Sequence, residues 1–153
     1  MKETDLSFFV KGKKVVGTLS LPDSDTKAPV VLLIHGFTGN RHESVSKSAP
    51  KGKLALLASK LSEVGIASLR IDMRGCGQSD GSLEDITAFT ELEDAIAACE
   101  YLKQSELVDR FCFRSISSRA QLLFRKIGQI NVQDYPLGRD FIPAESDSLH
   151  RIL

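Results

Sequence analysis

Apolar and polar positions divide the chain into short blocks. Asp5–Val10 and Val15–Leu21 read as two short strands, and Lys11-Gly12-Lys13 between them has the composition of a tight turn. Pro22 to Lys27 is polar and predicts a loop. Val30 to Ile34 is an unbroken, β-branched run, the pattern of a central strand buried on both faces. After a polar stretch from Thr38 to Lys51, Leu54, Leu57, Ala58 and Leu61 recur at helical spacing, and Gly65 ends that helix. Ile66–Ile71 is the next strand. Leu92, Ala95, Ile96, Cys99 and Leu102 then mark a second amphipathic helix. Thr90 and Glu93 fit a capping box at its start, with Thr87 as an alternative cap one turn earlier.

A hairpin followed by strand, helix, strand, helix predicts an α/β sheet with parallel central strands. That order is clear over residues 1–110. From 111 to 153 the character changes, and this tail is expected to be divergent and poorly ordered. Phe111–Ile116 reads as a short strand and Ala120–Ile127 as a short helix stopped by Gly128. Gln129–Leu153 holds two prolines and no clear period. The sequence has no internal repeat, no low-complexity tract and no linker marking a second domain.

Composition narrows the function classes. A chain of 153 residues, 42% hydrophobic and 26% charged, has the profile of one ordinary globular domain. Formal net charge is zero, so no electrostatic argument favours nucleic acid or an anionic membrane. The longest apolar run, Val30–Ile34, is too short to span a bilayer, and no apolar segment of a signal peptide follows Met1–Leu6. Cys76, Cys99 and Cys112 show no C-x-x-C spacing, which argues against a zinc knuckle or a disulfide framework. The expectation is a reduced, cytoplasmic protein with no cofactor and no metal.

Two loops carry candidate chemistry. The run Pro29–His35 breaks into Gly36-Phe37-Thr38-Gly39, where small residues let the backbone turn sharply and leave an N–H pointing outward. Such a donor stabilises the oxyanion of a tetrahedral intermediate. A plain strand-to-loop turn is the alternative, and His35, closing a buried strand, reads as structural rather than as a catalytic base. The strand Ile66–Asp72 breaks into Arg74-Gly75-Cys76-Gly77-Gln78-Ser79-Asp80-Gly81. Gly75-x-Gly77 invites comparison with a dinucleotide loop, but the third glycine is displaced and Ser79-Asp80-Gly81 delay the helix. No G-x-x-x-x-G-K-[ST] occurs either. A shaped loop at the carboxyl end of a parallel sheet fits better, with Asp72 and Arg74 expected to pair and fix it.

His35-Gly-Phe-Thr-Gly-Asn40, Leu69-Arg-Ile-Asp-Met-Arg-Gly-Cys-Gly-Gln-Ser-Asp-Gly81 and Glu91-Leu-Glu-Asp-Ala95 together resemble the α/β-hydrolase superfamily, in its serine aminopeptidase-like (S33) and cinnamoyl or feruloyl esterase-like branches. The resemblance runs from Pro29 to Tyr101, and the upstream hairpin fits it. It implies an α/β-hydrolase-type, mostly parallel sheet with an N-terminal antiparallel hairpin, truncated after the fourth or fifth family strand. It also implies a serine hydrolase acting on carboxylic esters or small amides, with Phe37 giving one oxyanion-hole N–H.

No G-x-S-x-G occurs where the family's nucleophile elbow is due, and the one match to that spelling, Gly77-Gln-Ser-Asp-Gly81, lies in the loop that follows Ile66–Asp72. By count along the family pattern the elbow falls at Ser115-Ile-Ser-Ser-Arg119. That places Ser117 as nucleophile and Ser118 as the second oxyanion donor, with Ser115 and Arg119 where the glycines belong. Asp140 and His150, or Asp147 and His150, satisfy the order Ser, acid, His. Few residues separate Ser117 from His150, and no strand there supports a triad. His42 lies too early for the family role. A non-catalytic truncated fragment or pseudoenzyme that binds a small molecule or a protein partner is therefore the alternative. A frameshift, altered splicing or a decaying gene would also give such a tail. The sheet edge left open by truncation predicts self-association.

Overall fold

The structure, a computed structural model, describes residues 1–113. Among the described residues, five strands form one sheet in the order β1-β2-β4-β3-β5. The elements are β1 (Lys2–Val10), β2 (Lys13–Leu21), β3 (Ala28–Ile34), α1 (Lys53–Glu63), β4 (Ala67–Ile71), α2 (Ala88–Gln104) and β5 (Val108–Phe113). β1 and β2 make the antiparallel hairpin, with Val10 opposite Lys13 and Lys2 opposite Leu21. β2 runs antiparallel to β4, and β4–β3 and β3–β5 are parallel. The hairpin turn closes through Lys11 and Gly12, both at positive φ.

Register sorts the side chains. Val15 and Leu19 on β2, Leu69 and Ile71 on β4 and Leu32 and Ile34 on β3 face α2. With Ala95, Ala98, Cys99 and Leu102 they form the larger core. The opposite face has a smaller cluster, Leu33 on β3 under Leu54, Ala58 and Leu61 of α1. β3 is thus covered on both faces, as its unbroken apolar run requires.

Two elements differ from the sequence-based expectation. α2 begins a turn earlier than Thr90: Thr87 is the N-cap, accepting from the Thr90 N–H at 3.2 Å, and Thr90 closes the box in return. Its buried stripe is also rotated, running through Glu91, Asp94, Ala95, Ala98, Cys99 and Leu102, while Leu92 and Ile96 are only half-buried. Two carboxylates enter the stripe because an arginine waits for one of them at the sheet end. The strand expected from Phe111 begins at Val108, where it pairs with Ala28, and a register shift follows between Ala28 and Val30. Among the described residues no helix is long and apolar enough to cross a membrane.

Candidate functional site

Because β3 and β4 are parallel neighbours, their carboxyl ends lie side by side, and the two loops that follow meet there. His35 joins them. Its ring is buried; Nε2 accepts the Met73 N–H at 3.1 Å and Nδ1 lies 2.6 Å from the Gly36 carbonyl oxygen. Accepting at Nε2 and donating at Nδ1 is the pattern of one neutral tautomer. His35 is a structural bridge, as its place at the end of a buried strand suggested.

The first loop is held from within. The Gly36 N–H donates to Glu43 Oε2 at 3.0 Å, and the Gly39 N–H closes a turn on the Gly36 carbonyl at 3.0 Å. Thr38 takes φ 60°, and Phe37 beside it is 51% exposed. Phe37 thus stands on a tight turn at the carboxyl end of the central strand.

The second loop is built around Asp72, which is fully buried. Its carboxylate accepts the Arg41 backbone N–H at 2.6 Å and the Gln78 N–H at 2.9 Å, and pairs with the Arg41 guanidinium. Gly77, at φ 55°, backs onto this carboxylate: a Cβ there would meet it at 2.3 Å. Gly75, at φ 81°, would bring a Cβ to 2.3 Å from the Ser82 carbonyl oxygen. Amides of the glycine-rich loop are consumed internally, Gly75 N–H on the Asp80 carbonyl and Cys76 N–H on that of Met73. This is a packed loop rather than a phosphate cradle.

Asp72 and Arg74 do not pair with each other. β4 ends at Ile71, so both residues lie in the loop beyond it rather than on one strand face, and Asp72 takes Arg41 while Arg74 takes Asp94 and Glu93. Arg74 turns to α2, donating from its backbone N–H to Asp94 at 2.7 Å, from Nε to the same carboxylate, and from Nη2 to Glu93 at 2.8 Å and the Thr90 carbonyl at 3.0 Å. Burial pushes the Asp94 carboxyl up despite these donors. Hydrogen bonds from Lys11 and Arg74 hold the more exposed Glu93 below the usual carboxylate range. Arg41, Glu43 and Asp94 were not visible from the sequence. The first two sit in a stretch whose only signal was polarity, and Asp94 stands in the Glu91–Ala95 motif with no role assigned to it.

Ser117, Ser118, Asp140 and His150, with Ser115, Arg119 and Asp147, lie outside the described residues, so of the expected site only Phe37 has a described position. Among the described residues no cluster of three or more His, Cys, Asp or Glu side chains could hold a metal ion.

Solved structures share this fold. Est1E from Butyrivibrio proteoclasticus, in a structure of the protein with ferulic acid bound, superposes with a TM-score of 0.70 at 29% identity, covering 82% of this chain and 49% of Est1E. The chain has the α/β-hydrolase fold. The Pyrococcus furiosus esterase Pf2001 matches with a TM-score of 0.65 at 19% identity, covering 85% of this chain and 48% of the esterase, a likeness of fold alone. In sequence, 92 residues are 29% identical to the uncharacterized 31.7 kDa protein in the traX-finO intergenic region of Escherichia coli, covering 60% of this chain and 29% of that protein. No protein-family model matches. The chain therefore spans about half the length of Est1E and less than a third of the curated relative.

Proposed function

We propose that the chain represents the N-terminal part of a serine hydrolase acting on carboxylic esters or small amides, with the Phe37 N–H as an oxyanion-hole donor. The observation that carries this reading is the tight turn His35–Gly39 at the carboxyl end of β3, locked to the β4 loop through His35 and to Glu43 through Gly36. A donor on a turn fixed at both ends is preorganised, and preorganisation is what makes such a donor effective. The ester class is supported by the likeness to Est1E. In the reaction, a serine would attack the carbonyl, a histidine would move its proton, and the Phe37 N–H would bind the developing oxyanion. Ser117 is the candidate nucleophile and Ser118 the candidate second donor, and Asp140 with His150 is a formal candidate for acid and base only.

The experiment is hydrolysis of a panel of p-nitrophenyl esters of increasing acyl size, by wild type and by Ser117→Ala. Turnover above background that falls at least about 10³-fold in the variant supports the assignment. Turnover equal in both chains, or absent from a folded chain, contradicts it.

Ser115 and Arg119, standing where the elbow glycines belong, favour the second reading of a non-catalytic, hydrolase-shaped chain that binds a small molecule or a protein partner. Self-association at the sheet edge beside β5 belongs to that reading. Light scattering checks it, with a concentration-dependent dimer expected and a strict monomer counting against it.

A further inference from the structure

The loop that carries Phe37 is closed by a residue whose backbone is ill suited to its place. Glu43 stands at φ 60°, in the left-handed region, as does Thr38. Glycine and asparagine adopt that conformation readily, whereas a glutamate is strained in it. The strain falls on a residue whose side chain turns back into its own loop. The half-buried Glu43 accepts the Gly36 N–H on Oε2 at 3.0 Å. The same oxygen lies against Gly39, where a Cβ would meet it at 3.2 Å. The base from which Glu43 reaches is fixed on the sheet and on α1. The Arg41 N–H donates to Asp72 at 2.6 Å, and the His42 carbonyl accepts the Leu54 N–H at 3.2 Å.

Gly36 is the pivot of the loop, since without a side chain it rotates more freely than its neighbours. Its two flanking peptide groups are held separately. The one after it is held at the Gly36 carbonyl oxygen, by the Gly39 N–H at 3.0 Å and by His35 Nδ1 at 2.6 Å. That peptide is trans and planar, so its Phe37 N–H points opposite to the Gly36 carbonyl, away from Gly39 and His35. The Gly39 bond is internal to the turn and moves with it, and the His35 bond fixes one point. The Glu43 bond fixes a second point, on the other side of Gly36. Two points set a direction where one does not.

We propose that Glu43 is a positioning residue of the oxyanion site: its carboxylate aims the Phe37 N–H from across the loop without touching substrate. The proposal rests on the reading of Phe37 as an oxyanion donor. It accounts for a glutamate at a left-handed position, where the backbone alone would favour glycine.

The test compares the full ¹⁵N-labelled chain with three variants. Glu43→Gln keeps an oxygen acceptor of the same reach. Glu43→Gly and Glu43→Asn suit the left-handed backbone, but neither side chain reaches Gly36. Loss of the hydrogen bond and relief of strain oppose each other in these two, so both should melt close to wild type. Residual dipolar couplings report the direction of the Phe37 N–H. That coupling should change in Glu43→Gly and Glu43→Asn and persist in Glu43→Gln, with the couplings of β3 constant throughout. On a p-nitrophenyl ester that the wild type turns over, Glu43→Gly should lose about ten- to a hundredfold in kcat with KM little changed, and Glu43→Gln should retain most of the rate. A Phe37 coupling unchanged in Glu43→Gly would overturn the proposal. So would melting temperatures that collapse in both Glu43→Gly and Glu43→Asn, because the carboxylate would then hold the fold rather than the donor. A chain without turnover whose Phe37 coupling still follows Glu43 contradicts the hydrolase reading and supports the hold on the N–H.

Discussion

At the scale of single residues, the strand ends are organised by buried charges that each have a dedicated partner. Asp72 and Arg41 are both buried, and Asp72 also receives two backbone N–H groups. Removing one member of such a pair leaves the other charged and desolvated, so Asp72→Ala should cost about 3–5 kcal/mol in urea unfolding. Gly77→Ala should also destabilise, through both its positive φ and its 2.3 Å approach to that carboxylate, by upwards of about 1 kcal/mol. A loss near zero would mean the loop relaxes freely. Burial pushes the Cys99 thiol up to about 12 and raises that of Cys76 as well. The thiolate is the reactive form, so both should resist a thiol reagent in the native chain and label in urea. Peptide mass spectrometry reads this directly, and fast native labelling of Cys99 would contradict its buried position.

At the scale of elements, α2 rests on a cap that sequence alone left open. Thr87→Ala should cost about 1 kcal/mol, whereas Glu93 plays no part in the capping box. Comparing the melting of Thr87→Ala with wild type checks which residue caps. The elements legible in the sequence were those whose period is set by local burial. β3 reads as apolar throughout because helices lie on both its faces, and α1 shows its stripe because only Leu33 and its neighbours lie beneath it. The rotation of the α2 stripe was hidden because Asp94 is buried by a long-range partner, Arg74, and no local period encodes that. The pairing expected between Asp72 and Arg74 failed for the same reason: proximity in sequence at a strand end does not place side chains together. Phe37 was legible as a loop position from its glycines. Glu43 and Arg41, which hold the neighbouring backbone, lie in a segment without periodicity, so their roles emerge only from the folded chain.

At the scale of the whole molecule, the hairpin, the parallel strands and α2 are tied together by charge as well as by the larger core. Lys11 in the hairpin turn and Arg74 after β4 both reach Glu93, and Lys13 reaches Asp85. Glu93 and Asp85 are both held below their ordinary pKa, chiefly by these lysines. A carboxylate with a depressed folded pKa contributes stability above its unfolded value, 4.5 for Glu93, and loses it as pH falls through the folded value. Stability should therefore drop on acidification from pH 5 to pH 3, and Glu93→Gln should flatten that drop by up to about 1 kcal/mol. Asp94, raised by burial, works in the opposite sense, so a Glu93→Gln profile steeper than wild type would contradict the assignment. The same frame sets the two loops at one end of the sheet, where the proposed chemistry belongs. The measurement that tests it most directly is labelling of the folded chain with a fluorophosphonate probe, followed by mass spectrometry of the modified peptide. The account predicts a single adduct on Ser117 that is lost in Ser117→Ala. A folded chain that takes up no probe, or takes it up on another residue, contradicts it.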